Sequence, residues 1–371
     1  MLTAIGLMSG TSLDGVDVAL LKTDGELLGG FGPTGYRVYS AAERVLLREA
    51  LAVAATLSGR DARPGVVRDA ERLVTDAHAE AVESFLTQHR LARSDIDVVG
   101  FHGQTVLHRP ADRLTVQIGD GDALAKALQF PVVFDLRAAD VATGGQGAPL
   151  VPVYHRALVR TLDRVGPVAV LNIGGVANIT YVDGDTLIAC DTGPGNALLD
   201  DFMLRTIGEA VDRDGRHAAR GRVDENWIAR AIDHPFFKTL PPKSLDRNAF
   251  AALTVDTTIP DDGAATLTAF TAASIARIVE MLPAPPKSWI VAGGGANNPT
   301  LMRMLDQRLA PAVVETATGS GWLGDAIEAQ AFAYLAVRSL KGLPLTFPGT
   351  TGVIRPLTGG VLAKPGFNAS A

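Results

Sequence analysis

Twice in this chain a short apolar run stops at a glycine-bearing turn and resumes at once as a second apolar run. This doubled plan constrains the fold more than any other feature. The first copy is Thr3–Met8, the polar stretch Ser9-Gly10-Thr11-Ser12, then Val16–Leu21 after Asp14-Gly15. The second is Val168–Ile173, Gly174-Gly175, then Ala177–Val182, with Asp183-Gly184 turning into Thr186–Cys190. Short β-branched and apolar runs bounded by Gly, Ser and Asp read as strands joined by tight turns. A third strand ending near Tyr39 belongs to the first copy. Two helical segments follow, and in the second of them Val67, Ala70, Leu73, Val74, Ala77, Ala81, Val82, Phe85 and Leu86 form one helical face. Further strands are expected at Ile96–Phe101, Thr115–Ile118, Pro131–Phe134 and Trp289–Ala292, and helices at Asp122–Leu128, Ala197–Ile207, Ala264–Met281 and Asp325–Leu340. Strands alternating with helices give an α/β class. The duplication rests on pattern alone, because identity between the copies is negligible. A length of 371 residues exceeds one ordinary core. Two lobes are therefore expected, 1–160 plus 324–371 and 161–323.

Charge and cysteine content remove several classes. A formal net charge of −6, from 40 acidic against 34 basic residues, offers no basic face for nucleic acid or an anionic membrane. The single cysteine, Cys190, excludes an internal disulfide framework and CxxC sites, which fits a reducing cytoplasm. No basic n-region opens the chain, since the first lysine is Lys22. The charge-free stretch Val165–Val182 holds a proline, three glycines and two asparagines, so a soluble chain is expected.

Four clusters combine glycine with Asp, Asn, Ser or Thr at strand ends: Gly10–Gly15, Asn172–Gly175, Asp191–Asn196 and Gly293–Asn298. Glycine admits positive φ and lets a bulky anion reach main-chain N–H groups. The clusters therefore suit a phosphate chain, with Asp14 and Asp191 as oxygen donors near Mg²⁺. No GxxxxGK[ST] occurs, which argues against a P-loop NTPase. GxGxxG spacing occurs at Gly30–Gly35 and Gly319–Gly324, but neither opens a complete βαβ unit, and both are read as turns.

The order of the turns resembles the sugar kinase, Hsp70 and actin superfamily. More specifically, Gly6–Asp17, Phe101-His-Gly-Gln-Thr105, Gln117–Asp120, Phe134–Asp140, Gly144–Pro149, Asn172–Gly175 and Asp191–Asn196 resemble the 1,6-anhydro-N-acetylmuramic acid kinases. The likeness runs to about Ala336, and the tail after Pro356 adds no motif. It implies two duplicated RNase H-like lobes with a central cleft, and lobes that close over ATP and an amino sugar. It also implies transfer of a phosphoryl group to O6 with hydrolytic opening of the anhydro ring, in peptidoglycan recycling, by a homodimer.

The resemblance carries roles to residues. Asp191 would be the base for water. Gly10, Thr11, Ser12, Leu13, Asp14, Gly15, Val16, Asp17, Gly174 and Gly175 would hold phosphates, with Asp14 near the metal through water. Gly294, Gly295 and Asn297 would hold adenosine. His102, Gly103, Gln104, Thr105, Gln117, Arg137 and Glu328 would line the sugar pocket, with Arg137 on the lactyl carboxylate. Blander readings exist for several of these. Asp191 could cap or shape a turn, Arg137 could pair with Asp135 or Asp140, and His102 could be an ordinary buried histidine. Asn297 and Asn298 could cap a helix starting at Pro299, and Glu328 could serve lobe connection. A kinase for another amino sugar, a phosphoanhydride hydrolase and a silent sugar or nucleotide sensor are the competing functions. Asp14 and Asp191 speak against the sensor.

Overall fold

The computed structural model describes residues 1–247 and 249–366. The five residues at the end of the expected first lobe lie outside that range. Two compact units emerge, one formed by Met1–Thr161 together with the chain from Ala326 onward, the other by Leu162–Asp325.

Along the chain, the first unit begins with strands β1 (Leu2–Met8), β2 (Gly15–Thr23) and β3 (Leu28–Val38) and helices α1 (Ala41–Ala54) and α2 (Val66–His89). Then come β4 (Val98–Phe101), β5 (Gln104–Arg109), β6 (Leu114–Ile118), α3 (Gly121–Leu128), β7 (Val132–Phe134), α4 (Ala138–Ala142) and α5 (Pro152–Val159). The second unit holds β8 (Val168–Ile173), β9 (Val176–Asp183), β10 (Thr186–Pro194), α6 (Ala197–Thr206), α7 (Arg216–Arg220) and α8 (Glu225–Ile232). It continues through α9 (Pro260–Arg277), β11 (Ser288–Ala292), α10 (Pro299–Leu309) and β12 (Val313–Thr316). Helix α11 (Ile327–Leu340) and strand β13 (Val361–Ala363) return to the first unit.

The two main sheets have one topology. In the second unit the order is β10-β9-β8-β11-β12, with β8 antiparallel to β9 and parallel to β11. In the first it is β3-β2-β1-β4-β7, with the same directions and β13 added antiparallel beyond β7. The duplication legible in the apolar pattern is thus a duplication of strand order. Two copies of one α/β sheet are what the fold class required.

Sequence explains why the layers close. Every residue of the α2 face is buried except Leu73, which is partly buried against the same core. Glycines Gly6 and Gly100 face each other in register on β1 and β4. A Cβ on Gly6 would lie 1.8 Å from the Ala329 carbonyl oxygen, and one on Gly100 2.1 Å from that of Phe332. Only bare backbone at both points lets α11 lie on the sheet. In the second unit, α9 is so apolar that Pro260–Met281 has the length and composition to cross a membrane, yet 67% of its apolar window is buried inside the fold. It is the central core helix there, packed with Trp289, Phe237 and Phe250.

One sequence reading is corrected. Gly30–Gly35 is not a turn but lies inside β3. A Cβ on Gly32 would meet the Leu20 side chain at 2.6 Å, and one on Gly35 would meet Phe85 at 2.9 Å. These glycines make room for core side chains against a strand.

Candidate active site

In the second unit, three of the four glycine clusters gather at one rim of the sheet. β8 and β11 run parallel and end at Ile173 and Ala292, so the turns that follow them are neighbours. Main-chain bonds then clamp the hairpin turn to the turn after β10. Asn196 N–H donates to the Gly174 carbonyl (2.8 Å), and the Gly195 and Ala197 N–H groups donate to that of Gly175 (2.9 and 3.2 Å). A Cβ on Gly195 would stand 2.2 Å from the Gly174 oxygen, so this contact requires glycine. Of the adenosine candidates, Gly294 and the exposed Asn297 lie in the short 3₁₀ turn after β11. Gly295 is buried against Ile173. The capping role falls to Asn298, whose Oδ1 accepts from Thr300 and Leu301 N–H (3.1 and 3.0 Å). Asn297 is left free of that duty.

Asp191 sits at the same rim. The β9–β10 register slips between Asp191 and Gly193, a bulge of the kind that re-aims a side chain. The carboxylate accepts from Leu245 N–H at 2.6 Å, while its own N–H donates to the Lys243 carbonyl at 2.9 Å. It caps no helix. Burial raises its carboxyl from 3.8 to about 6, opposed by the Leu245 hydrogen bond and the positive charge of Lys243. A carboxylate with that affinity is matched to taking a proton near neutral pH. The segment carrying Lys243 and Leu245 has no apolar period, so no local signal in the sequence marks it.

In the first unit, the fourth cluster is the β1–β2 hairpin turn, the topological counterpart of Gly174-Gly175. Thr11, Ser12 and Asp14 are exposed, whereas the side chains of Leu13 and Val16 are core, so only their backbone is available to a ligand. Gly15 is buried and begins β2 beside Arg37 and Tyr36, and Asp17 is partly buried on the same strand. Gln104 fixes the turn from beneath. Its Oε1 accepts from Ser9 Oγ (2.6 Å) and its Nε2 donates to the Gly10 carbonyl (3.2 Å), so its amide supports the turn from the core.

His102 joins the turn to Arg137. Its Nε2 accepts from Arg137 Nη2 (3.0 Å) and Nε (3.3 Å), and because guanidinium only donates, the proton must be on Nδ1, which donates to the Ser9 carbonyl (3.2 Å). Burial, then Arg137, holds the imidazole neutral, well below its usual range. Arg137 also donates from Nη1 to the Gly147 carbonyl (2.9 Å). One N–H on each terminal nitrogen remains uncommitted among the described residues, which suits a carboxylate. Burial lowers its affinity for a proton to about 10, with Glu328 and Asp140 opposing, so it stays charged at neutral pH. The bland partners are otherwise engaged. Asp135 pairs with Arg60, and Asp140 accepts from Gly147 N–H and Thr351 Oγ1 (both 2.6 Å). Glu328 opens α11, its carboxyl raised by desolvation and held down by Arg137.

Gly103 and Gln117 border, with His102, a polar cavity of about 320 Å³ that Arg60, Arg63 and Asp135 also line. Gln117 Nε2 donates to Thr105 Oγ1 and Thr115 Oγ1 (3.2 and 2.8 Å), while its Oε1 is buried without a partner. Thr105, half-buried on β5, enters through that bond. The described residues hold no group of three or more His, Cys, Asp or Glu that could form a metal cage. Asp14 is instead an exposed lone carboxylate.

The family profile of anhydro-N-acetylmuramic acid kinase matches residues 2–365. The anhydro-N-acetylmuramic acid kinase of Nitrobacter winogradskyi is 68% identical over 366 residues, covering 98% of this chain and 100% of that protein. That of Rhodopseudomonas palustris is 67% identical over 365 residues with the same coverage. Among solved structures, component A of the (R)-2-hydroxyglutaryl-CoA dehydratase of Acidaminococcus fermentans overlays with a TM-score of 0.48 at 12% identity, over 92% of this chain and 100% of that one. A full-length profile match together with relatives at this identity makes the chain a member of the anhydro-N-acetylmuramic acid kinase family.

Proposed function

We propose that this kinase uses ATP to phosphorylate O6 of 1,6-anhydro-N-acetylmuramic acid while water opens the anhydro ring, giving N-acetylmuramic acid 6-phosphate and ADP. The observation that carries the mechanism is Asp191, a desolvated carboxylate aimed by a bulge and held by Leu245 N–H. Water attacks the anomeric carbon and gives its proton to Asp191. The bond from that carbon to the bridging oxygen breaks, and the freed O6 attacks the γ-phosphorus as the bond to ADP breaks. A positioned base contributes roughly 10²–10⁴-fold. Glycine turns of this kind offer main-chain donors and allow close approach of a phosphate. Mg²⁺, when bound, neutralises charge on the transferring group, and Asp14, exposed and without an ion pair among the described residues, suits a contact to it through water.

Arg137 would hold the lactyl carboxylate, kept in place by neutral His102, while Gln104 keeps the first phosphate turn in shape. Gln117, Gly103, Thr105 and Glu328 are assigned to the sugar, and Gly294, Gly295 and Asn297 to adenosine. The reaction belongs to peptidoglycan recycling. We place the enzyme in the cytoplasm as a soluble homodimer, with small molecules and neither nucleic acid nor membrane as its partners. The test is ADP release coupled to a fluorescent or absorbance readout, with the anhydro sugar and with N-acetylmuramic acid as control. Absence of turnover dependent on the anhydro sugar would refute the reading.

A further inference from the structure

The segment that holds Asp191 by Lys243 and Leu245 goes on to Arg247, which none of the roles above uses. Its side chain is 61% exposed, and its ion pair is with Asp201, itself 60% exposed, at 3.6 Å. A pair this open to solvent and this long is too weak for Arg247 to be a structural brace. The guanidinium stem lies over the second glycine hairpin. Cδ and Nε of Arg247 are each 3.9 Å from the point a Cβ on Gly175 would occupy. The same turn is open at Gly174, where only the Val176 oxygen comes within 4 Å, at 3.8 Å. The carbonyls of both glycines are turned inward to the Gly195–Ala197 amides, and Gly174 N–H donates to Val176. Gly175 N–H has no partner among the described residues. A guanidinium, a free main-chain N–H and open space therefore meet at one turn, and Asp191 is reached through the same short segment.

We infer that Arg247 contacts the terminal phosphate of ATP and stabilises charge on the transferring phosphoryl group, an inference that rests on the kinase reading above. In the transfer the O6–phosphorus bond forms and the bond from phosphorus to the β-phosphate oxygen breaks. Arg247 neither gains nor loses a proton and supplies fixed positive charge and N–H donors. Asp200 and Asp201 face the same guanidinium from α6. Burial pushes the Asp200 carboxyl up to about 6. At neutral pH both carboxylates are largely ionised, and Asp201, the exposed one of the two, is the ion-pair partner that a polyphosphate would have to displace from the arginine.

The test compares Arg247→Ala, Arg247→Lys and Asp201→Ala with wild type. For Arg247→Ala, kcat should fall about 10²-fold or more, in keeping with arginines that serve phosphoryl transfer. KM for the sugar and the Kd for ADP should stay within about threefold, while the Kd for a non-hydrolysable ATP analogue rises. Added guanidinium should restore part of the rate, Arg247→Lys should be intermediate, and Asp201→Ala should keep kcat. The inference is overturned if Arg247→Ala keeps kcat within threefold, if ADP and the ATP analogue weaken equally, or if Asp201→Ala reproduces the loss. Wild-type failure to turn over the anhydro sugar would instead strike the kinase reading, and the comparison of ADP with the analogue would still decide whether Arg247 touches the terminal phosphate.

Discussion

Replacing Asp191 with Asn separates what this carboxylate does for catalysis from what it costs the fold. The substitution keeps an oxygen for Leu245 N–H but removes the charge and the proton acceptor. Activity should fall by about 10²–10⁴-fold, the usual contribution of a positioned base. Stability should move the other way. A carboxyl raised from 3.8 to about 6 binds its proton more tightly folded than unfolded, so stability from this group is full below about pH 4. It is lost as pH rises through about 6. The difference corresponds to about 3 kcal/mol, and partial solvent access reduces it to about 1–3 kcal/mol. Asp191→Asn escapes that loss. Thermal midpoints of the two proteins should therefore diverge between pH 4 and 7, the variant becoming the more stable by several degrees, and level off above. Wild-type kcat/KM should drop about tenfold per pH unit below about 6. Scanning calorimetry across pH and the coupled ADP assay measure both arms. Full activity in the variant would dismiss Asp191 as the base. A midpoint difference that ignores pH would show that the carboxylate is not desolvated.

Three further outcomes follow from the same geometry. Gln104→Ala removes two hydrogen bonds, from Ser9 Oγ and to the Gly10 carbonyl, while Ser9 Oγ keeps the Tyr39 hydroxyl and the Gly10 carbonyl keeps Leu13 N–H, so it should cost about 1–3 kcal/mol by denaturant melt and raise KM for ATP more than it lowers kcat. Arg137→Lys loses the fork and should raise KM at least tenfold for the anhydromuramic substrate. The effect should vanish with 1,6-anhydro-N-acetylglucosamine, which has no lactyl carboxylate; an equal loss on both sugars would dismiss the assignment. Asn298→Ala removes a helix cap and should cost about 1 kcal/mol, whereas Asn297→Ala should leave the melting midpoint alone and weaken nucleotide binding in a titration.

The parts legible in the sequence were those whose environment has a period. β1, β8 and β11 read as apolar runs because both faces of a strand in the middle of its sheet are covered, and α2 read as a stripe because only one side meets the core. β5 and β12 were missed for the opposite reason. β5, Gln104–Arg109, pairs only with β6 among the described residues, and β12 is a short edge strand whose Val313 is exposed. β13 lies in a tail that carries no motif. The glycine clusters announced themselves by composition, but composition does not reveal that Leu13 and Val16 spend their side chains on the core. Lys243, Leu245 and Arg247 lie in a stretch with neither strand nor helix, where position is set by long-range bonds to Asp191 that no local pattern encodes.

The close seat of α11 on Gly6 and Gly100 has a consequence for how the molecule is made. The helix that covers β1 and β4 is synthesised after the whole second unit, so the first sheet leaves the ribosome with one apolar face bare. Residues 162–325 can bury their own core meanwhile, since all five strands of their sheet are local to that stretch. The N-terminal unit, first to emerge, is therefore the last to be finished, and its earliest strands wait for residue 340 before their glycines meet the backbone they were shaped to fit.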